Sequence, residues 1–218
     1  MRWLVGRGVH RNGSRDLKLL FSPVWNAQIE AIVLNRCLLD TSGADCTASQ
    51  QPAPAGPDQT APEHAELDYL TLTKSIEALH QLLTAGQSAM MLVPVDFRTV
   101  HDDATLAEYM RLLSTTPSTA KCLALEINGI PSDCPADRLG EMVRRLETCV
   151  RHLAVEVRLD DPRASAIAGL GPWALSVDLG ELSVSDPCLP ARLRQFTATA
   201  RGVNTLARGA NSIPLENP

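Results

Sequence analysis

Short apolar runs alternate with longer amphipathic stretches along most of this chain. The runs 89–95, 122–127, 154–159 and 173–179 predict strands, and 203–207 predicts a last short strand. Between them, apolar residues recur three or four positions apart, which predicts helices. Because the strands do not alternate cleanly between apolar and polar positions, they favour a parallel sheet covered by helices. A doubly wound sheet and a (β/α) barrel both fit this pattern.

The first part of the chain follows a different pattern. Residues 1–16, rich in Arg and Gly, have no periodicity and predict a loose leader. The apolar runs 17–23 and 29–39 are separated by only a few residues, so they predict an initial antiparallel strand pair. A domain spanning residues 17–218 follows from this organisation.

An insertion interrupts the domain at residues 41–62. Ser, Ala, Gln, Thr and Pro dominate this segment, which has too few apolar side chains to form a core of its own. A flexible insertion is the favoured interpretation, and a partner-binding loop is the alternative.

Deleting this insertion, with a short linker left in its place, should change stability little. Loop length alters the closure entropy only slowly, so we expect a melting temperature shifted by no more than about 5 °C. Thermal unfolding of the deleted and full-length chains measures the shift. A loss of soluble expression would show that the segment packs against the domain.

Composition excludes several classes of protein. The 218 residues, 44% of them hydrophobic, suffice for one domain with a sizeable core. A net charge of -5 without a long basic run argues against binding a nucleic-acid polymer. No apolar stretch approaches the ~20 residues that span a bilayer, so no membrane partner is predicted and the expected compartment is the cytoplasm. The six cysteines form no CxxC pair, so free thiols are favoured over a zinc site.

Carboxylates stand at or near the ends of two predicted strands. Glu126 ends the run 123–127, and the segment 154–161 carries Glu156, Asp160 and Asp161. In parallel α/β folds the carboxyl ends of the strands are where ligands and metals bind. We therefore expect a site at this end of the sheet.

Seven segments, in order along the chain, match the motifs of a known family. They are Phe21-Ser22-Pro23-Val24, Arg36-Cys37-Leu38-Leu39-Asp40, Val93-Pro94-Val95-Asp96, Leu125-Glu126-Ile127, Leu159-Asp160-Asp161, Leu175-Ser176-Val177-Asp178 and Leu206-Ala207-Arg208-Gly209-Ala210-Asn211. In this order the chain resembles the EAL domain family, the cyclic-di-GMP phosphodiesterases of bacterial signalling. The resemblance implies an incomplete TIM-type (β/α) barrel, because the family's final strand has no clear counterpart.

The family's catalytic site is mostly absent from the matching positions. In the family, acids and an Asn hold divalent metals that activate water against a phosphodiester. At the matching positions Arg36 and Arg208 replace glutamates, Pro94 replaces the Asn, and Ser176 replaces a water-orienting Lys. The resemblance therefore implies no catalytic residue, no metal site and no cofactor.

Five residues remain as candidate ligand-binding residues: Arg36, Glu126, Asp160, Asp161 and Arg208. Pairing of the acids with the arginines as a structural ion cluster is the alternative. The leading hypothesis is an inactive EAL-like module that regulates or binds another protein. A sensor that binds cyclic-di-GMP without cleaving it and an enzyme with altered chemistry are the other two.

The missing final strand predicts an association. Without it, the first and seventh strands would each have an unpaired edge, and exposed edges invite pairing with another chain. We therefore expect a homodimer or a bound protein partner, with residues 17–21 and 203–207 in or near the contact.

Overall fold

Seven strands form a closed barrel in a computed structural model of the chain, which describes residues 18–40, 61–180 and 186–209. The strands are β1 (Lys18–Asn26), β2 (Ala31–Asp40), β3 (Met91–Asp96), β4 (Leu123–Asn128), β5 (His152–Glu156), β6 (Ala174–Asp178) and β7 (Asn204–Arg208). The helices are α1 (Ala61–Thr84), α2 (Phe97–His101), α3 (Asp103–Ser114), α4 (Pro117–Ala120), α5 (Ala136–Glu147), α6 (Ala164–Ala168) and α7 (Leu189–Thr199). None of these helices is long and apolar enough to cross a membrane.

The barrel confirms the predicted α/β class and the initial antiparallel pair. Strands β1 and β2 pair antiparallel over their whole length, whereas β2 to β7 are parallel to one another in sequence order. Closure of the sheet excludes the doubly wound alternative.

The barrel closes between β1 and β7, so the prediction that a missing final strand leaves both with an unpaired edge is wrong where these two strands pair. Trp25 pairs with Ala207 and Asn26 with Leu206, in antiparallel register. The side chain of Gln28 strengthens the seam, since it donates to Val203 O at 3.0 Å and accepts from Thr205 N at 2.8 Å. The antiparallel β1 thus lies between β7 and β2 and completes the ring of strands.

The predicted leader and insertion fall almost wholly outside the described residues. Residues 1–17 and 41–60 are not described. Ala61 and Pro62, however, belong to α1, so the predicted insertion extends two residues too far.

A small apolar cluster fills the inside of the barrel, and a larger one fills the space between barrel and helices. The inner cluster consists of Val24, Leu34, Leu92, Ala124, Ala154, Ala174 and Leu206. Alternate residues of a strand face the same side of a sheet. Two positions further along β2 to β7, the inner face therefore carries a different set: Arg36, Pro94, Glu126, Glu156, Ser176 and Arg208.

Candidate functional site

A layer of charged side chains lies directly above the apolar interior, at the carboxyl ends of the parallel strands. We define this charged layer by its members Arg36, Glu126, Glu156, Asp178 and Arg208. Each comes from a different strand, so only closure of the barrel brings them together.

Arg208 is the hub of the charged layer. Its Nη1 donates to Glu126 Oε2 at 2.7 Å, its Nε donates to Asp178 Oδ2 at 3.0 Å, and its Nη2 donates to Glu156. All three guanidinium nitrogens therefore bind carboxylates from three other strands. This arrangement leaves the side chain only 8% exposed.

Arg36 reaches the same buried carboxylate from the opposite side. Its Nε donates to Glu126 Oε2 at 2.7 Å. In the amide orientation that satisfies its neighbours, Asn128 accepts from Arg36 Nη2 at 3.1 Å and donates to Val95 O at 2.9 Å. Pairing between β2 and β3 ends at Arg36 and Leu92, so Asn128 bridges the two strands where their backbone ladder stops.

The electrostatics of the charged layer follow from burial and from the two cations. Burial alone raises the pKa of the fully buried Glu126, but Arg36 and Arg208 outweigh it and lower that pKa below its usual value. Ser176 lowers it further, although neither Ser176 Oγ nor Glu126 Oε1 has a hydrogen bond of regular geometry. For Glu156, burial prevails over the attraction of Arg208 and raises the pKa.

The sum of formal charges in the layer is negative. Two guanidinium groups face three carboxylates, which leaves one unit of negative charge. Acidic neighbours outweigh burial and raise the pKa of Arg208, so its positive charge persists at all accessible pH values.

Three of the five predicted site residues meet in this layer, and two do not. Arg36, Glu126 and Arg208 form its centre. Asp160 and Asp161 lie in a turn beyond the end of β5, where Asp160 is 3.5 Å from Arg158 and Asp161 accepts from Arg163 at 2.9 Å. These two acids shape the loop instead of pointing from the strand, because β5 already ends at Glu156.

The five candidate residues did not include two members of the layer, Glu156 and Asp178. Glu156 stands two residues after the inner residue Ala154, and Asp178 two residues after Ser176. This even spacing from a small residue on the inner face is the feature of the sequence that could have identified both acids as inward-facing. Only the register of the closed barrel shows that these acids meet Arg208.

The residues of the charged layer do not fit a divalent metal. Magnesium and manganese require several free oxygen ligands, whereas the carboxylates here accept hydrogen bonds from guanidinium groups. Within the described ranges, no three His, Cys, Asp or Glu side chains are grouped so that they could hold a metal ion. Two fixed cations at contact distance would also repel a metal.

A second, partly buried acid, Asp68 of α1, holds the end of β3 next to this layer. Its Oδ2 accepts from Asp96 N at 2.9 Å and from Thr99 Oγ1 at 2.6 Å. Burial outweighs these hydrogen bonds and raises the pKa of Asp68 to about 6. The folded protein therefore holds this proton at pH values where an unfolded aspartate, with a pKa of ~3.9, has lost it.

Asp68→Asn should consequently stabilise the protein at pH 8 but not at pH 4. Between those pH values the folded state binds more protons than the unfolded state, so wild-type stability from this group falls as pH rises through about 6. The amide oxygen can accept the same two hydrogen bonds without the cost of a buried charge. We expect a gain of up to about 3 kcal/mol at pH 8, measured by urea unfolding. An equal gain at both pH values would contradict the assigned pKa.

The fold is that of EAL domains. A Vibrio cholerae LapD S helix-GGDEF-EAL structure bound to c-di-GMP superposes with a TM-score of 0.61 and 13% identity, covering 87% of this chain and 46% of that one. The Xanthomonas citri FimX EAL domain in complex with c-diGMP has a TM-score of 0.57 and 16% identity, covering 93% and 90%. An EAL domain protein from Listeria monocytogenes has a TM-score of 0.59 and 11% identity, covering 87% and 85%.

Similarity in sequence is much weaker than similarity in fold. No protein-family model matches the chain, and no curated protein matches it. The chain spans less than half the length of the LapD structure.

Proposed function

We propose that this chain is a regulatory or protein-interaction module built on the EAL fold, and that it does not hydrolyse cyclic-di-GMP. The observation that carries the proposal is the position of Arg36 and Arg208, whose guanidinium groups bind the carboxylate of Glu126 inside the barrel. Hydrolysis of a phosphodiester by metal-activated water needs carboxylates that are free to bind the metal ions. With both arginines in place, the carboxylate of Glu126 is occupied by two ion pairs.

The same contacts weaken the hypothesis of a cyclic-di-GMP sensor. A phosphate is held best by guanidinium donors that are free to form paired hydrogen bonds. All three nitrogens of Arg208 already bind carboxylates, and the charged layer is negative in total. A ligand with two negative charges would have to displace those acids. LapD and FimX bind c-di-GMP on the same fold, so binding still has to be measured for this chain.

The contacts of its residues also weaken the hypothesis of an enzyme with altered chemistry. It relied on Glu126, Asp160 and Asp161, but the last two lie in the turn after β5 and are each paired with a neighbouring arginine. Glu126 is fully buried between its two cations.

Purified protein should neither bind nor cleave cyclic-di-GMP in the presence of excess MnCl2, at about 5 mM. Fluorescence anisotropy with labelled cyclic-di-GMP measures binding, and chromatography of the reaction detects the linear dinucleotide. Saturable binding without turnover would support the sensor instead. Metal-dependent turnover by clean protein would overturn the proposal.

A further inference from the structure

The amino-terminal part of β1 has a partner strand on one side only. β2 pairs with β1 from Lys18 to Asn26, whereas β7 pairs only with Trp25 and Asn26. Among the described residues, no strand lies along the other edge of residues 18–24. Unpaired N–H and C=O groups on such an edge can accept a further strand.

β7 ends at Arg208, and its pairing with β1 stops at Trp25 and Asn26. Gly209 has a φ of 78°, in the left-handed region, and a Cβ placed on it would lie 2.5 Å from Gly180 N. The backbone at Gly209 therefore packs closely against Gly180, in the loop after β6.

This free edge lies at the same end of the barrel as the charged layer. Ser22 of β1 pairs with Arg36, so residues 18–21 of β1 extend beyond the layer at its open end. Leu20 and Phe21 are 48% and 40% exposed, which makes them two of the five exposed large hydrophobic side chains in the described ranges. Leu20 is an even number of residues from Val24 and shares the inner face with it.

The accessible part of the charged layer is acidic. The side chains of Glu156 and Asp178 are 24% and 34% exposed, whereas Arg208 is 8% exposed. A segment that enters beside Leu20 would therefore face the charged layer. The three carboxylates and two arginines of this layer sum to one negative charge. This charge favours a cation and disfavours an anion.

We propose that this end of the barrel binds an extended segment of a protein partner, which pairs with β1 over Leu19–Ser22 and places a lysine or arginine over Glu156 and Asp178. The inference rests on the proposed function and specifies the chemistry of the partner. Pro23 has no N–H and Lys18 is charged, so they limit the pairing to about four residues. Backbone pairing supplies affinity, while Leu20, Phe21 and the acids select an apolar and basic sequence.

Selection from a phage-displayed library of random dodecapeptides on the full-length chain tests this proposal. We expect enriched peptides in which apolar residues alternate with Lys or Arg. A synthetic copy of an enriched peptide should protect the amides of residues 19–22 from hydrogen exchange. Its affinity should fall about tenfold or more on Glu156→Gln and on Leu20→Asp. Ile29→Asp is the matched control, since Ile29 is 64% exposed in the turn that joins β1 to β2, at the other end of β1.

Several outcomes would overturn the inference. These are a lack of enriched peptides, enrichment of acidic ones, or protection at sites other than residues 19–22. Protection of residues 19–22 in the free protein would show that another segment of the chain covers the edge, and protection that grows with protein concentration would show a second copy there. Glu156→Gln leaves Arg208 with Glu126 and Asp178, and circular dichroism checks that the variant folds. Hydrolysis of cyclic-di-GMP would contradict the proposed function but would leave the peptide result readable on its own.

Discussion

Glu126→Ala should destabilise the protein by about 3–5 kcal/mol, because it leaves the buried guanidinium of Arg208 and the mostly covered one of Arg36 without their shared carboxylate. Glu126 itself is fully buried, so water cannot replace it. For a chain of this size the loss corresponds to a melting temperature lowered by about 6–20 °C. Chemical denaturation and thermal unfolding of the same preparations give both quantities.

Two further substitutions separate the causes of this effect. Asp160→Ala is the control, since Asp160 is mostly exposed and its removal should cost less than about 0.5 kcal/mol. Glu126→Gln keeps the shape of the side chain and removes only its charge, so its cost reports the electrostatic share. If Glu126→Ala lowered the free energy of unfolding by no more than Asp160→Ala does, the stabilising role assigned to Glu126 in the charged layer would be wrong.

Arg36→Glu combined with Arg208→Glu should turn a chain indifferent to manganese into one that requires it. The double substitution changes the charge of the layer from -1 to -5, since two cations become two anions. Five crowded carboxylates repel one another without a metal but offer it oxygen ligands. We expect MnCl2 at ~100 times its Kd to raise the melting temperature of the variant by about 5–10 °C.

The wild-type protein is the control for this experiment, and its melting temperature should move by less than about 1 °C at the same manganese concentration. If the double variant does not fold without metal, Arg36→Glu alone gives the graded comparison, because Arg208 then still holds Glu126, Glu156 and Asp178. A wild-type shift as large as that of the variant would show that the arginines do not exclude the metal, and the proposed function would lose its basis.

The sequence by itself determined the α/β class and the succession of strands along the chain. Within the predicted run 122–127, residues 123–127 are buried in β4, and all of them except Glu126 are apolar because the strand is covered on both faces. The same reasoning identified the antiparallel pair from the short spacer between its two apolar runs. It also identified Arg36, Glu126 and Arg208, since motif order along the chain places them at the carboxyl ends of strands.

Only the tertiary structure decided how the barrel closes and which acids share the charged layer. Closure depends on the contact of Trp25 and Asn26 with β7, about 180 residues away, and no local pattern encodes that pairing. The register of β5 places Glu156 inside and leaves Asp160 and Asp161 in a turn, although all three read alike as acids near a strand end. A charge contributes to a site through its distance from other charges, and these distances are fixed by packing between strands that are remote in sequence.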